Sequence, residues 1–321
     1  MRRYIGKRAL TGIMIVLISV CFNFALIRMA PGDPITIMAG IDNPNPDMIA
    51  ALQAKYGLDK PVFEQFMMFL KNVAKGDLGY SYVSDQPVVE MIVEKIGPTL
   101  LLSLTGVIIS VVVGTILGIY AARKNGSFFD KFICKISYFF DAVPGFWLGL
   151  IMILIFASTL KILPTAGMVN LRANYTGFRR VLDIAEHLIL PVVTLSLVQI
   201  PYYFRIARSS VLQVMSEDYI TTLRATGMKE SKIFNKYVLR NAILPTVTVF
   251  GMSLAFLISG TVLIETVFAW PGMGRLLMTS ITKRDYPLLT GLYLVISVSI
   301  ATMMILVDIV YGFIDPRIRY D

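Results

Sequence analysis

Long apolar runs alternate with polar segments along the whole chain of 321 residues. A membrane-spanning helix needs about 20 predominantly apolar residues, and six runs are long enough to meet that requirement. The pattern therefore predicts an all-α integral membrane protein with six transmembrane helices. The predicted spans are 9–29, 99–122, 136–160, 188–212, 242–268 and 287–313.

The composition agrees with this prediction. Hydrophobic residues make up 56% of the chain and charged residues only 16%, whereas a typical soluble domain carries about 25% charged residues. The first apolar run also invites comparison with a signal peptide. Its length, and the lack of a small-residue cleavage site after it, favour an uncleaved first span.

The distribution of charge predicts which side of the membrane each polar segment occupies. Basic residues are retained on the cytoplasmic side of membrane proteins, and they dominate 1–8, 123–135 and 205–240. The segment 31–98 has the opposite balance, with nine acidic and five basic residues. Both termini are therefore predicted to be cytoplasmic. The net charge of +9 follows these loops and forms no basic domain, which argues against a nucleic-acid partner.

One segment departs from this rule, because the predicted outer loop 161–187 carries Arg172, Arg179 and Arg180. The remaining pattern predicts a small extracytoplasmic helical subdomain at 31–98, with helical spacing at 47–56 and 62–73. The predicted organisation is a first part at 1–30, this subdomain, a membrane core at 99–313 with a cytoplasmic loop at 213–241, and a tail at 314–321.

The chain offers little material for catalysis or for metal binding. Its two cysteines, Cys21 and Cys134, lie far apart and lack metal-ligand spacing. The single histidine, His187, is predicted to sit at a helix end. No phosphate-binding loop sequence occurs, so the chain is not expected to be an ATPase or another enzyme.

A polar, mostly basic stretch at 217–245 interrupts the apolar pattern and reads as helix, turn, helix. Ser216 is the predicted N-cap, with Glu217 and Asp218 in the first turn, where the helix dipole favours acidic residues. Gly227 is predicted to end that helix in a left-handed conformation. A second helix is predicted at 231–241. The stretch is either a solvated connection or a docking element for a soluble partner.

The residues of this stretch also resemble a known motif, D-Y-x4-R-A-x-G followed by L-R-N-A-x2-P. Four further stretches fit the same pattern: 30–34, 56–61 with 76–79, 268–275 and 315–319. Together they resemble the permease subunits of ATP-binding-cassette importers, in particular the first permease of the dipeptide, oligopeptide and nickel uptake group. The general E-A-A motif of such permeases is eroded here, because Thr221, Thr222 and Leu223 occupy its first positions.

This resemblance implies a type I ABC-importer permease fold in the plasma membrane of a prokaryote. It implies that the cytoplasmic helix pair couples to two separate ABC ATPase subunits, which bind ATP and Mg. It also implies two further protein partners: a second, related permease in a heterodimer and an extracytoplasmic substrate-binding protein. Membrane lipid would surround the spans. The implied coupling residues are Glu217, Asp218, Tyr219, Leu223, Arg224, Ala225, Gly227, Lys229 and Ile233.

The implied substrate is a di- or oligopeptide, with nickel or a metal chelate as the alternative within the family. A passive channel or a membrane-embedded enzyme is the alternative outside it. Charged residues and helix breaks within spans are the candidates for a pathway or gate. These are Asp141, Pro144 and Glu265, with Asp308 as a further intramembrane acid; Trp270, in the predicted loop after the fifth span, is a further pathway or gate candidate. Each could instead be exposed, paired at the membrane interface or packed.

Overall fold

The computed structural model describes residues 2–29, 50, 53–54, 57–257 and 261–314, and the regular structure in these residues is helical. The predicted all-α class is therefore confirmed. The helices are α1 (Arg2–Met29), α2 (Val62–Val73), α3 (Val88–Arg123), α4 (Phe128–Ala142), α5 (Gly145–Met152), α6 (Gly177–Met215), α7 (Asp218–Ala225), α8 (Glu230–Lys232), α9 (Leu239–Ala242), α10 (Leu244–Ala255), α11 (Val262–Val267), α12 (Met273–Lys283) and α13 (Tyr286–Ile314). Two π-helical turns, Ile153–Thr159 and Ile233–Val238, continue α5 and join α8 to α9.

Among the described residues, four helical stretches are long and apolar enough to cross a membrane. They are Val88–Arg123, Gly177–Met215, Glu230–Ala255 and Tyr286–Val307. The pair formed by Phe128–Ala142 and Gly145–Thr159 passes the same test together and would be a fifth.

Two of the predicted spans are not single straight helices. The third run, 136–160, is bent by 99° between its two helices, because Val143 and Pro144 are extended at the break. The fifth run, 242–268, is also broken, since α10 ends at Ala255 and α11 begins only at Val262.

The helices that contain the second and fourth predicted spans are α3 and α6. They begin earlier than those spans, at Val88 and Gly177 rather than at residues 99 and 188. Hydropathy marks only the part of a helix that matches the bilayer, whereas backbone hydrogen bonding continues into the polar flanks. His187 consequently lies inside α6 and not at a helix end. It is buried, and its Nδ1 lies 2.8 Å from the backbone oxygen of Asp183.

The chain divides into two compact units, 1–98 with 272–321, and 99–271. In the first unit α1 packs against α13. The predicted helix at 62–73 is confirmed as α2, and its Phe66 and Phe69 rings contact Phe24 of α1. The other predicted outer helix, 47–56, lies mostly outside the described residues, as do the stretches 30–34 and 315–319 and the side chain of Asp308.

A buried carboxylate also organises the first unit. Asp285 precedes α13 and accepts a hydrogen bond from the backbone N–H of Leu288, three residues on, so it serves as the N-cap of that helix. The same carboxylate accepts hydrogen bonds from the Ser81 hydroxyl and from the backbone N–H of Tyr82. The start of α13 and the turn before α3 are thereby held together.

In the second unit, α3 and α6 approach closely through two glycines four residues apart. A Cβ atom added at Gly118 would lie 2.7 Å from the backbone oxygen of Phe204 and 2.8 Å from the Cβ of Ala207. One added at Gly114 would lie 2.8 Å from the Tyr203 Cβ. Small residues at this spacing let membrane helices pack backbone against backbone.

We predict that Gly118→Ala destabilises the protein by about 1–3 kcal/mol, because the helices must separate to admit the methyl group. A thermal melt of the protein purified in detergent measures the change. Gly145→Ala is the matched control, since its added Cβ would find its nearest atom at 3.4 Å, an ordinary contact distance. Equal melting temperatures for the two variants would contradict the prediction.

Candidate coupling site

The polar stretch begins where α6 ends. Ser216 does not cap the next helix as predicted, because it is the C-cap of α6 and its hydroxyl donates to the Gln213 oxygen at 2.7 Å. The N-cap of α7 is Glu217, whose backbone is extended. Glu217 therefore lies one position before the first turn, and Asp218 is the acidic residue inside that turn.

The turn after α7 confirms the prediction for Gly227, whose φ of +76° is left-handed. The N–H of Gly227 donates to the Arg224 oxygen at 3.0 Å, and that of Met228 donates to the Leu223 oxygen at 3.3 Å. This pair of bonds is the Schellman arrangement that ends many helices. No atom of the described residues lies within 4 Å of where a Cβ would be added at Gly227, so backbone conformation alone favours glycine here.

An apolar cluster lies beneath the helix pair. We call it the basal cluster; its buried members are Ala122, Val211, Ile220, Ile233, Phe234, Val238 and Ala242. The second predicted helix, 231–241, is confirmed, because α8, the π-helical turn and α9 together cover it. Ile233 is only 1% exposed, so it packs on its own chain, although the resemblance implied a coupling role for it. Ile220, which is fully buried, was not singled out.

The opposite side of the pair is polar and exposed. Arg224 Nε donates to Glu230 Oε1 at 2.7 Å across the Gly227 turn. The Tyr219 hydroxyl accepts from Asn241 Nδ2 at 3.1 Å, which ties α7 to the end of the second helix. The exposed coupling candidates are Glu217, Asp218, Tyr219, Arg224, Ala225, Gly227 and Lys229, whereas Leu223 is half-buried.

An ion pair fixes the helices that support this element. Arg208 of α6 donates to both carboxylate oxygens of Asp130 in α4, from Nε at 2.7 Å and from Nη2 at 2.9 Å. The Asp130 side chain is 4% exposed and that of Arg208 26%. The carboxylate also accepts from the Gly126 N–H at 2.9 Å. A two-pronged, partly buried pair of this kind is stronger than an exposed one.

Asp130 lies in the segment 123–135, which the sequence predicts to be a loop, and the sequence does not predict this pair. One signal was present, because Ser127 followed three residues later by Asp130 fits a helix-capping pattern. The Ser127 hydroxyl does cap α4 by accepting the Asp130 N–H. The partner Arg208 is 78 residues away, and no local pattern indicates it.

The four pathway candidates lie in different surroundings. Asp141 ends α4 and pairs with Arg205, with both side chains over a third exposed. Pro144 is exposed and caps α5 at the 99° bend. Glu265 is fully buried and accepts from the Thr99 hydroxyl at 2.9 Å. Trp270 is also fully buried, and its backbone N–H donates to the Glu265 backbone oxygen at 2.8 Å.

Comparison with known proteins assigns this arrangement to a family. Residues 114–320 match the family described as the binding-protein-dependent transport system inner membrane component, and residues 1–105 match the description of its N-terminal part. The chain belongs to this family. It is thus a permease subunit of an ABC importer and a multi-pass protein of the bacterial inner membrane. Such permeases work with ATPase subunits and a binding protein.

Two curated relatives match the permease over nearly its whole length. The dipeptide transport system permease protein DppB of Escherichia coli (strain K12) is 36% identical over 315 residues, which cover 93% of each chain. The oligopeptide transport system permease protein AppB of Bacillus subtilis (strain 168) is 36% identical over 321 residues, which cover all of both chains.

A solved structure shows the same fold. It is a chain of the MetNI methionine ABC transporter in inward-facing conformations, with a TM-score of 0.54 and 15% sequence identity. The match covers 71% of this permease and 97% of that chain. At this identity the likeness concerns the fold alone.

We predict that Asp130→Asn lowers the stability of the permease by about 1–3 kcal/mol, because it leaves a partly buried guanidinium without its counter-charge. Asp141→Asn is the matched control and should cost under about 1 kcal/mol, since its pair is exposed. Thermal melts of the purified variants measure both effects. A larger loss at Asp141 than at Asp130 would contradict this assignment of the two pairs.

Proposed function

We propose that this permease forms half of the membrane pathway through which an ABC importer takes up di- or oligopeptides. The observation that carries the substrate class is the end-to-end match to permeases named for dipeptide and oligopeptide transport. It favours peptides over nickel or a metal chelate. A second, related permease would supply the other half of the pathway as a heterodimer.

The proposed topology has six spans with both termini in the cytoplasm. The four long apolar helices, the bent pair and α1, with its apolar stretch at Leu10–Ala25, would make up the six. In this arrangement 31–98 is the extracytoplasmic subdomain, 99–313 is the core and 314–321 is the cytoplasmic tail. The basic balance of 205–240 supports placing the loop 213–241 on the cytoplasmic side.

We further propose that the exposed face of the helix pair docks on an ATPase subunit. The basal cluster supports this role, because it fixes the pair to α3 and α6 while leaving Glu217, Asp218, Tyr219, Arg224 and Lys229 accessible. A force applied to the exposed face would reach the membrane helices through packed side chains and not through a flexible loop. Ile233 and Leu223 would position the face from below.

The pathway roles remain proposals for Asp141, Pro144, Glu265 and Trp270. The bend at Pro144 and the exposed Asp141–Arg205 pair support a place beside the pathway or gate. Glu265 and Trp270 are buried, which supports a structural role in which they hold the end of α11 in place for the gate.

The substrate proposal is tested by uptake in a strain that lacks the gene and carries it again on a plasmid. We expect loss of labelled dipeptide uptake in the deletion strain, its recovery with the plasmid, and unchanged uptake of radioactive nickel. A defect confined to nickel would overturn the peptide assignment and favour the alternative.

The docking proposal is tested at the left-handed turn. We expect Gly227→Val to cut peptide uptake at least tenfold at normal membrane levels, because a β-branched residue at this φ costs about 1–3 kcal/mol and distorts the turn. Stimulation of ATP hydrolysis by the loaded binding protein should fall with it.

Two control variants accompany this experiment. Gly227→Asn should retain most activity, since asparagine tolerates the left-handed region. Gly76→Val places the same strain at another open turn, with φ of +81° and no atom of the described residues within 4 Å of the added Cβ, and should leave stimulation intact. Normal stimulation in Gly227→Val would remove the support for docking through this turn.

A further inference from the structure

A cavity of about 270 Å³ lies in the second unit, between α3, α6 and the chain that follows α10. All the side chains that line it in the described part of the chain are uncharged. The polar ones are Ser103, Gln199, Tyr202, Tyr203, Ser253 and Thr261. Polar groups within the membrane are costly, and they commonly mark the route of a polar substrate.

Three of these polar side chains, Ser103, Tyr203 and Ser253, hydrogen-bond within the protein. The Tyr203 hydroxyl lies 2.6 Å from the Ser253 hydroxyl, which in turn donates to the Val249 backbone oxygen at 3.0 Å. The Thr261 hydroxyl oxygen is buried without a hydrogen-bond partner among the described residues. An unsatisfied buried hydroxyl costs about 1–3 kcal/mol, so a ligand group that reached it would gain that stabilisation.

The fifth predicted span is interrupted beside the same cavity, and this observation is independent of the hydrogen bonding. The helix stops at Ala255 and resumes at Val262, and Leu257 and Thr261 from the two sides of the break line the cavity. Non-helical backbone at membrane depth is tolerated where it is buried in protein or lines a cavity. One freed group, the Leu257 backbone oxygen, accepts from the Ser103 hydroxyl at 3.1 Å. In secondary transporters, substrate sites are typically formed by interrupted helices.

The lining chemistry selects among ligands. Among the described residues that line the cavity, none offers a carboxylate, imidazole or thiolate to hold a metal ion, and none offers a lysine or arginine to hold an anion. It offers hydroxyl and amide groups, which both donate and accept, and the aromatic side chains of Tyr202 and Phe256. A peptide unit needs one acceptor for its N–H and one donor for its C=O. The volume falls below the roughly 300–1,000 Å³ of drug-sized sites, which suits a short segment of peptide.

We propose that this cavity is a transient subsite for the backbone amide of a peptide in passage, with Thr261 and Gln199 supplying hydrogen bonds to it. The inference rests on the proposed peptide-import function and goes further, because it names the atoms that recognise the shared part of all peptides. Neutral backbone recognition suits a transporter of varied sequences, since every peptide presents the same amide.

The test is uptake by the complete importer of a labelled dipeptide and of its depsipeptide analogue, in which an ester replaces the amide and removes the N–H. We expect Thr261→Val to lower the maximal rate for the dipeptide about three- to tenfold, as for loss of one hydrogen bond. Its preference for amide over ester should shrink as well. Thr261→Ser keeps the hydroxyl and should restore both the rate and the preference.

Thr246→Val is the matched control. Its hydroxyl is also buried without a partner among the described residues, but it faces a cavity of only about 10 Å³, too small for a ligand. It should stay within twofold of the parent on both substrates. Because one binding protein serves every variant, its own preference cancels in the comparison.

The outcomes separate this inference from the function it rests on. If the parent importer takes up no dipeptide, the proposed function fails. If the parent does so and Thr261→Val matches Thr246→Val in rate and in amide preference, the subsite is overturned. A fall in rate with an unchanged preference also overturns it, because the hydroxyl would then act only on structure.

Discussion

The contact between α3 and α6 at Gly114 and Gly118 is the constraint on which the rest of the second unit depends. It brings the two backbones together along successive turns of α6, at Tyr203, Phe204 and Ala207. Tyr203 then forms part of the cavity wall. One turn further on, Arg208 reaches Asp130, and Val211 meets Ala122 in the basal cluster. A wider separation of these helices would loosen all three features at once.

This arrangement puts the candidate coupling site and the cavity on one helix. Tyr203 and Val211 are eight residues apart, which is about 12 Å along an α-helix. Arg208 lies between them in sequence, and its ion pair with Asp130 fastens α6 to α4 at that level. The basal cluster and the cavity wall are thus connected through the packed residues of α6. In the proposed mechanism, movement of the helix pair would reach the cavity without a flexible connection between them.

The features that could be predicted from the sequence are those that local chemistry determines. Gly227 was identified correctly because a left-handed helix end is set by one residue and its neighbours. The apolar runs identified the class of fold for a similar reason, since spanning a bilayer demands length and hydrophobicity. The motif around 218–245 indicated the family, which the comparisons confirm.

The remaining features depend on packing between distant parts of the chain. The burial of Ile233 could not be predicted, because spacing does not tell which face of a short helix is covered. The early start of α6 was missed because its first turns are polar. Asp130 and Arg208 look like loop charges until the fold brings them together. The break near Leu257 falls within a segment predicted to be one span, although Ser259, Gly260 and Thr261 interrupt its apolar residues.

The length of α6 has a mechanical consequence. Its 39 residues extend over about 58 Å, roughly twice the thickness of the hydrocarbon core. In a helix of this length that moves as one body, a tilt of about 5° about one end carries the other end through about 5 Å. Small rotations at one end of α6 would then become displacements as large as a side chain at the opposite end.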